Sequence, residues 1–339
     1  MYRILINKIV KSEADAFRSS FCSGHTKRFE TPYKRLTKVM NGISSVPSAT
    51  NTGSNQPVNP PTIDIKRAKY YLKKLRDNYD YLLNALPSEY NKWQSLFERI
   101  LPQHMLTQDV LYSNQTWKFY ELVSYCLRYD EAKKDIACHM DSLGVNTCVY
   151  CNLRANGTGA NGKADYTIDH HRCQSKYPYL SASFFNLYPC CDKCNTTKDN
   201  DDYPDYFQLY TEKNSDRNPY QINTSLNVLK LYLDENANND IHVEVKSQIW
   251  NNTIVNLDLN NWYNSQRIRN HISKIFLVVK GNNKVQIDTT NNTFHLNGLL
   301  DNSETIAIFR TSTKVDKIHK EALTKFNIDF AIQWGLLEI

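Results

Sequence analysis

The 339-residue sequence predicts an α+β protein in which a helical N-terminal block and a mixed C-terminal region enclose a small metal-bound core. Three observations carry this expectation. Apolar residues step by three and four through residues 63–144, and strand-like alternation returns beyond residue 200. Between them, two Cys-x-x-Cys pairs, Cys148 with Cys151 and Cys191 with Cys194, bracket an Asp-His step. The expected organisation is an N-terminal strand and basic segment at 1–45, a flexible loop at 46–62, a helical scaffold at 63–144, the core at 145–200 and the mixed region at 201–339.

The whole chain bounds these readings. Hydrophobic residues make up 41% and charged residues 22%, close to the globular average. The formal charge of +6 permits a polyanionic partner without selecting one. No run approaches the roughly 18 apolar residues a membrane helix needs. The opening MYRILINKIV does not resemble a signal peptide, so none is expected. The expectation is no membrane and a cytoplasmic location. The Cys count of 9 is odd, and Cys22, Cys126, Cys138, Cys173 and Cys190 are scattered, which favours reduced, metal-binding thiols over a disulfide framework.

Taken in order, YRILINKIV alternates as a short strand and TKRFETPYKRLTKVM reads as a basic helix. In VPSATNTGSNQPVNPPT, Pro60-Pro61 blocks helix formation. Ile65, Ala68, Leu72, Leu75, Tyr79, Leu82 and Leu86 then mark an amphipathic helix that Pro87 ends. A second helix fits 88–101, with Trp93, Leu96, Phe97 and Ile100 on its apolar stripe. A third fits 115–141, with Phe119, Leu122, Val123 and Cys126 inward and Gly144 as terminator. Further on, IHVEVKS is a strand and NKVQIDTTNNTFHLNG a hairpin turning at Asn291-Asn292, with helices expected over 262–276 and 314–326.

The chemistry concentrates between the Cys pairs. Two turns that each present Cys-x-x-Cys supply four thiolates for tetrahedral Zn²⁺, so Cys148, Cys151, Cys191 and Cys194 are the expected ligands. Cys190 is an alternative to Cys191, but it breaks the two-residue spacing. A four-sulfur shell leaves no water position, so this zinc is structural. ADYTIDHH reads as a strand that delivers Asp169 and His170 at its exit. A carboxylate there can hold a hard cation and a neutral imidazole can take a proton from water. Asn195, one residue after Cys194 on an expected helix, adds an amide oxygen.

These residues resemble the HNH endonucleases of the ββα-metal fold, in the subgroup whose hairpin and helix are clasped by four Cys. Asp169-His170 matches the family's Asp-His step, Asn186-Leu187 its central Asn-Leu, and Cys191-x-x-Cys194-Asn195-x-x-Lys198 its terminal motif. The third motif position is Asn rather than His, and the common Gly pair after the Asp-His step is replaced by KYPYLSASFFNL. The resemblance covers about 50 residues. It implies that His170 is the general base, that Asp169 and Asn195 hold one Mg²⁺ or Mn²⁺, that Asn186 braces the loop orienting His170, and that Lys198 faces phosphate. Tyr177-Pro178 and the opening MYRILINK also look like a narrower group, the HNH partners of ATPases in Septu-type and retron-linked anti-phage systems. That likeness implies DNA as substrate and an ATPase as protein partner.

Other readings stand beside this one. The chain is alternatively a zinc-clasped module that binds nucleic acid or protein without catalysis, or an RNA-directed toxin using the same site. His171 points away from His170 on a strand, His139 is a substitute zinc ligand or an exposed residue, and Cys173 is a small core or surface residue. Arg154, Lys163 and Arg172 flank the hairpin and contact phosphates or solvent, with Arg172 carried forward as a substrate contact. Tyr70-Tyr71 and Tyr177/Tyr179 stack on bases or fill cores. Arg267, Arg269, His271 and Lys274 track a nucleic-acid backbone or form the wet side of a helix.

Overall fold

Two residues of strand, Ile4–Leu5 (β1), give way at once to a helix, Lys8–Ser23 (α1), where alternation predicts strand through Val10. Asn7 decides this: its Oδ1 accepts from the Ile9 and Val10 N–H groups at 3.0 Å, so the donors left over by the first turn are satisfied. The computed structural model describes residues 2–23, 30–46, 63–157, 165–199, 208–214, 221–224, 242–247, 257–281, 285–288, 293–296, 309, 313–334 and 336–337. The basic segment forms Pro32–Gly42 (α2), capped by Thr31 with Pro32 in the first turn, and leads into Ser44–Ser45 (β2). All but the first residue of the loop expected at 46–62 lies outside the described residues.

Asp64 caps Ile65–Leu83 (α3), accepting from Lys66 N–H at 2.8 Å. The apolar stripe is buried as its period requires: Ala68, Leu72, Leu75 and Leu82 lie inside, with Tyr71 beside them. Each such Leu stabilises the fold by about 1.5–3 kcal/mol. Tyr90–Ile100 (α4) follows a short 3-10 turn at Pro87–Glu89, and Gln103–Leu106 (α5) adds one turn.

The single helix expected over 115–141 is three elements. Asp109–Tyr112 (β3) and Gln115–Lys118 (β4) form a hairpin whose two turn residues, Ser113 and Asn114, take φ of 50° and 61°. Phe119–Cys126 (α6) then breaks at Arg128, φ 57°, before Tyr129–Ser142 (α7). Neither Gly nor Pro marks these breaks, so the apolar period runs across them unmarked. Gly144, φ 69°, follows α7.

The central hairpin pairs Thr167–His170 (β5) with Leu187–Cys190 (β6) in antiparallel register, Asp169 opposite Tyr188 and His170 opposite Leu187. Asp192–Lys198 (α8) follows and packs on β5. Tyr210–Thr211 (β7) pairs parallel with β1. Gln221–Thr224 (β8) pairs with Val243–Lys246 (β9). The helix expected over 262–276 is Leu259–Tyr263 (α9) and Gln266–Gly281 (α10), parted at Asn264, whose side chain bonds the Val243 backbone. Val285–Asp288 (β10) and Thr293–Leu296 (β11) pair antiparallel, and their connection at Asn291-Asn292 lies outside the described residues. The helix expected over 314–326 starts as a 3-10 turn, Val315–Lys317, and its α-helical part is Thr324–Gln333 (α11). The fold is α+β, with small sheets of two or three strands. Among the described residues no helix is long and apolar enough to cross a membrane.

Candidate active site and metal centre

Cys148, Cys151, Cys191 and Cys194 converge: one sulfur from each lies within 4.8 Å of every other, and all four residues are buried. Tetrahedral zinc with Zn–S near 2.3 Å needs sulfurs about 3.8 Å apart, so the set fits the ion. Local backbone explains each half. In the first pair, Asn152 N–H returns to the Cys148 carbonyl at 2.9 Å and Leu153 N–H points at Cys151 Sγ at 3.4 Å, with Asn152 at φ 51°. In the second, Cys191 is the N-cap of α8 and Cys194 lies in its first turn. Cys190 sits on β6 with Sγ at 3.5 Å from Thr167 Oγ1, outside the four-sulfur group. His139 is not a ligand either: its Nδ1 pairs with Glu13 at 2.8 Å.

The zinc turn also reaches the Asp-His step. Tyr150, inside the first Cys pair, donates its hydroxyl to Asp169 Oδ2. Lys198 Nζ lies 3.2 Å from both Asp169 oxygens and donates to the His170 carbonyl at 2.9 Å. Burial pushes the Asp169 carboxyl above its usual range, against the opposing pull of Lys198 and Tyr150. Lys198 is 1% exposed, so it braces the hairpin from inside and does not face a phosphate. Cys194 and Lys198 stand one turn apart on α8, and the rotation that brings Cys194 to the sulfur cluster turns Lys198 inward with it.

His170 is held differently. Its Nε2 lies 3.0 Å from the Ser181 carbonyl, an acceptor, so Nε2 carries the proton and the lone pair sits on Nδ1. Among the described residues Nδ1 has no protein partner, and it is not among the fully buried polar atoms. Burial pushes this imidazole down to about 4, so it is neutral at physiological pH. Tyr129 packs on the ring with centroids 4.5 Å apart.

Asn186 fixes the intervening loop. Its Oδ1 accepts from Arg172 N–H at 2.7 Å, and its Nδ2 donates to the carbonyls of Arg172 at 3.2 Å and Leu180 at 3.0 Å. These bonds tie Asn186 to the loop next to the Ser181 carbonyl that holds His170. Arg172 departs from its expected role at the substrate: it is 4% exposed, and its guanidinium lies 5.3 Å from the centre of the Tyr177 ring. Its backbone is bound at both groups by Asn186, which draws the residue into the loop. His171 is buried against Tyr188, centroids 5.2 Å apart, with neither ring nitrogen hydrogen-bonded among the described residues. Cys173, Tyr177 and Tyr179 are core residues. Arg154 is exposed, and Lys163 lies outside the described residues.

Asn195 is half-buried on α8, with no protein hydrogen bond to its side chain among the described residues. Its amide oxygen is left over as an acceptor, whereas both Asp169 oxygens face Lys198 Nζ and Oδ2 also accepts from Tyr150, so a cation held at Asp169 would enter an occupied shell. Such an ion competes with the Lys198 ammonium for the same carboxylate. Tyr70 is exposed and Tyr71 buried. On α10, Arg267 and Lys274 are exposed, while Arg269 and His271 bond Asn264 and Asn327. Motif reading missed Tyr150, Tyr129 and Ser181, the last acting through its backbone. Only Tyr150 carried a signal, its place between two zinc ligands. Compared with known proteins, the chain matches no family model, no curated protein and no solved structure.

Proposed function

We propose that this protein is a metal-dependent endonuclease of HNH type, hydrolysing phosphodiester bonds in DNA. The observation that supports it most is the tautomer of His170: a proton fixed on Nε2 by the Ser181 carbonyl and a lone pair on Nδ1, which has no partner among the described residues, on an imidazole kept neutral by burial. A neutral base within reach of solvent is what water activation requires. Two antiparallel strands followed by a helix, with four Cys at one end, His170 on the strand and Asn195 on the helix, support this reading. Mg²⁺ or Mn²⁺, held by Asp169 and Asn195, supplies charge neutralisation at the scissile phosphate when bound. The zinc is structural and stiffens the site through Tyr150. On this reading the chain works as the effector of an anti-phage complex with an ATPase partner, a role that rests on the resemblance alone.

Supercoiled plasmid cleavage with Mg²⁺, with Mn²⁺ and with EDTA tests the chemistry, and His170→Ala must abolish it. Plasmid left intact beside degraded RNA would move the substrate to RNA. Binding of nucleic acid with neither cut by zinc-loaded protein would favour a binding module.

A further inference from the structure

Beside Tyr129 lies a cleft of about 450 Å³, within the range of small-ligand sites. Trp117, Tyr120, Tyr125 and Tyr129 contribute aromatic surface to it. Trp117 and Tyr125 are in contact, centroids 5.4 Å apart, and Tyr129 is the residue whose ring packs on His170. Gln174 joins the lining from the loop that Asn186 closes, and Tyr129 is the neighbour that the cleft and the candidate base share.

Charge selects what the cleft takes. Its arginines are engaged: Arg128 pairs with Glu131 at 2.8 Å, and Arg35 lies 4.6 Å from the Tyr125 ring centre and donates to the Tyr125 carbonyl. Glu121 and exposed Asp130 add carboxylates to the lining. Two arginines against three carboxylates repel a phosphate. The same walls suit a flat, uncharged ring that stacks on aromatics and donates hydrogen bonds from its edge.

We propose that this cleft is a nucleobase subsite, holding an unpaired base with an exocyclic amine (adenine, cytosine or guanine) beside the bond that His170 addresses. The aromatic residues stack on the ring, and Glu121 and Asp130 accept from the amine. The role of the subsite in cleavage rests on the nuclease reading; binding does not.

The test therefore measures binding without cleavage. Full-length zinc-loaded protein in EDTA is titrated with fluorescein-labelled single strands of dA, dC, dT and an abasic backbone, followed by anisotropy. Amine-bearing strands bind about tenfold more tightly than the abasic strand, and Tyr125→Ala, a change at a 39% exposed side chain, removes that advantage. Asp130→Asn with Glu121→Gln narrows the preference for dC over dT, and the amide oxygen that Glu121→Gln leaves in place still accepts the capping bond from Lys118 N–H. Equal affinity for abasic and base-bearing strands overturns the proposal, as does a preference that survives Tyr125→Ala. Base-dependent binding by a protein that never cuts keeps the subsite and sinks the nuclease. His170-dependent cutting with base-independent binding does the reverse.

Discussion

Replacing Lys198 by Met removes the positive half of a buried ion pair and keeps the methylene stem that fills the space. Asp169, 6% exposed, then keeps the Tyr150 hydroxyl and the His170 backbone N–H but loses the ammonium that balances its charge. Leaving one partner of a buried pair uncompensated costs about 3–5 kcal/mol. A second route limits the loss: the carboxyl takes a proton. With an unfolded pKa of about 3.9, holding Asp169 protonated costs about 4 kcal/mol at pH 7 and about 1.5 kcal/mol at pH 5. The sign follows from a folded pKa raised above the unfolded one: the penalty is full above the folded value, shrinks as pH falls and is gone below the unfolded value. Urea midpoints of wild type and Lys198→Met, read by tryptophan fluorescence at pH 5 and pH 7, are therefore expected to lie far apart at pH 7 and close at pH 5. Adding Asp169→Asn to the variant removes this dependence. Mn²⁺ raises the midpoint of the variant more than that of wild type, because the ammonium no longer competes for the carboxylate. A variant as stable as wild type at pH 7, or a loss equal at both pH values, would refute the buried pair.

Three further expectations follow from the same contacts. His170, pushed down to about 4 by burial, stays neutral while the unfolded chain takes a proton near 6.5, so wild type loses about 3 kcal/mol between pH 6.5 and 4 that His170→Asn does not lose. Parallel urea midpoints of the two proteins across that range would count against it. Cys191→Ser abolishes zinc binding and Cys190→Ser leaves one zinc per chain, measured by metal analysis after gel filtration; the reverse result would exchange the ligands. Asn186→Ala unpairs the Arg172 and Leu180 backbone groups, costs about 2–3 kcal/mol, and reduces cleavage without loss of zinc, whereas full activity would mean that the Ser181 carbonyl is held without it.

Much of the site was legible because its signals are local. Cys-x-x-Cys spacing fixes a turn, and two such turns fix each other through one ion, so the sulfur cluster follows from the sequence. The long helix α3 was equally plain, since its period runs unbroken from Ile65 to Leu82. What misled was continuity of apolar period across a backbone break. The inner residues of α6 and α7 keep helical spacing through Arg128, and only a left-handed residue of ordinary type separates the helices. Asn7 likewise outweighed a strand pattern through two side-chain bonds that alternation does not register. The position of Lys198 was implicit in its i, i+4 relation to Cys194. Partners drawn from distant segments, Tyr129 and the Ser181 carbonyl, have no mark in the sequence, because burial of His170 against α7 is a property of the assembled core.

The central claim is that His170 is a metal-assisted general base. The most direct measurement is the cleavage rate of supercoiled plasmid by wild type and His170→Ala at equal zinc content, each with Mg²⁺, Mn²⁺ and EDTA. Metal-dependent cutting by wild type that falls by at least about 10²-fold in the variant is the expected result. Cutting by His170→Ala at the wild-type rate would contradict the account.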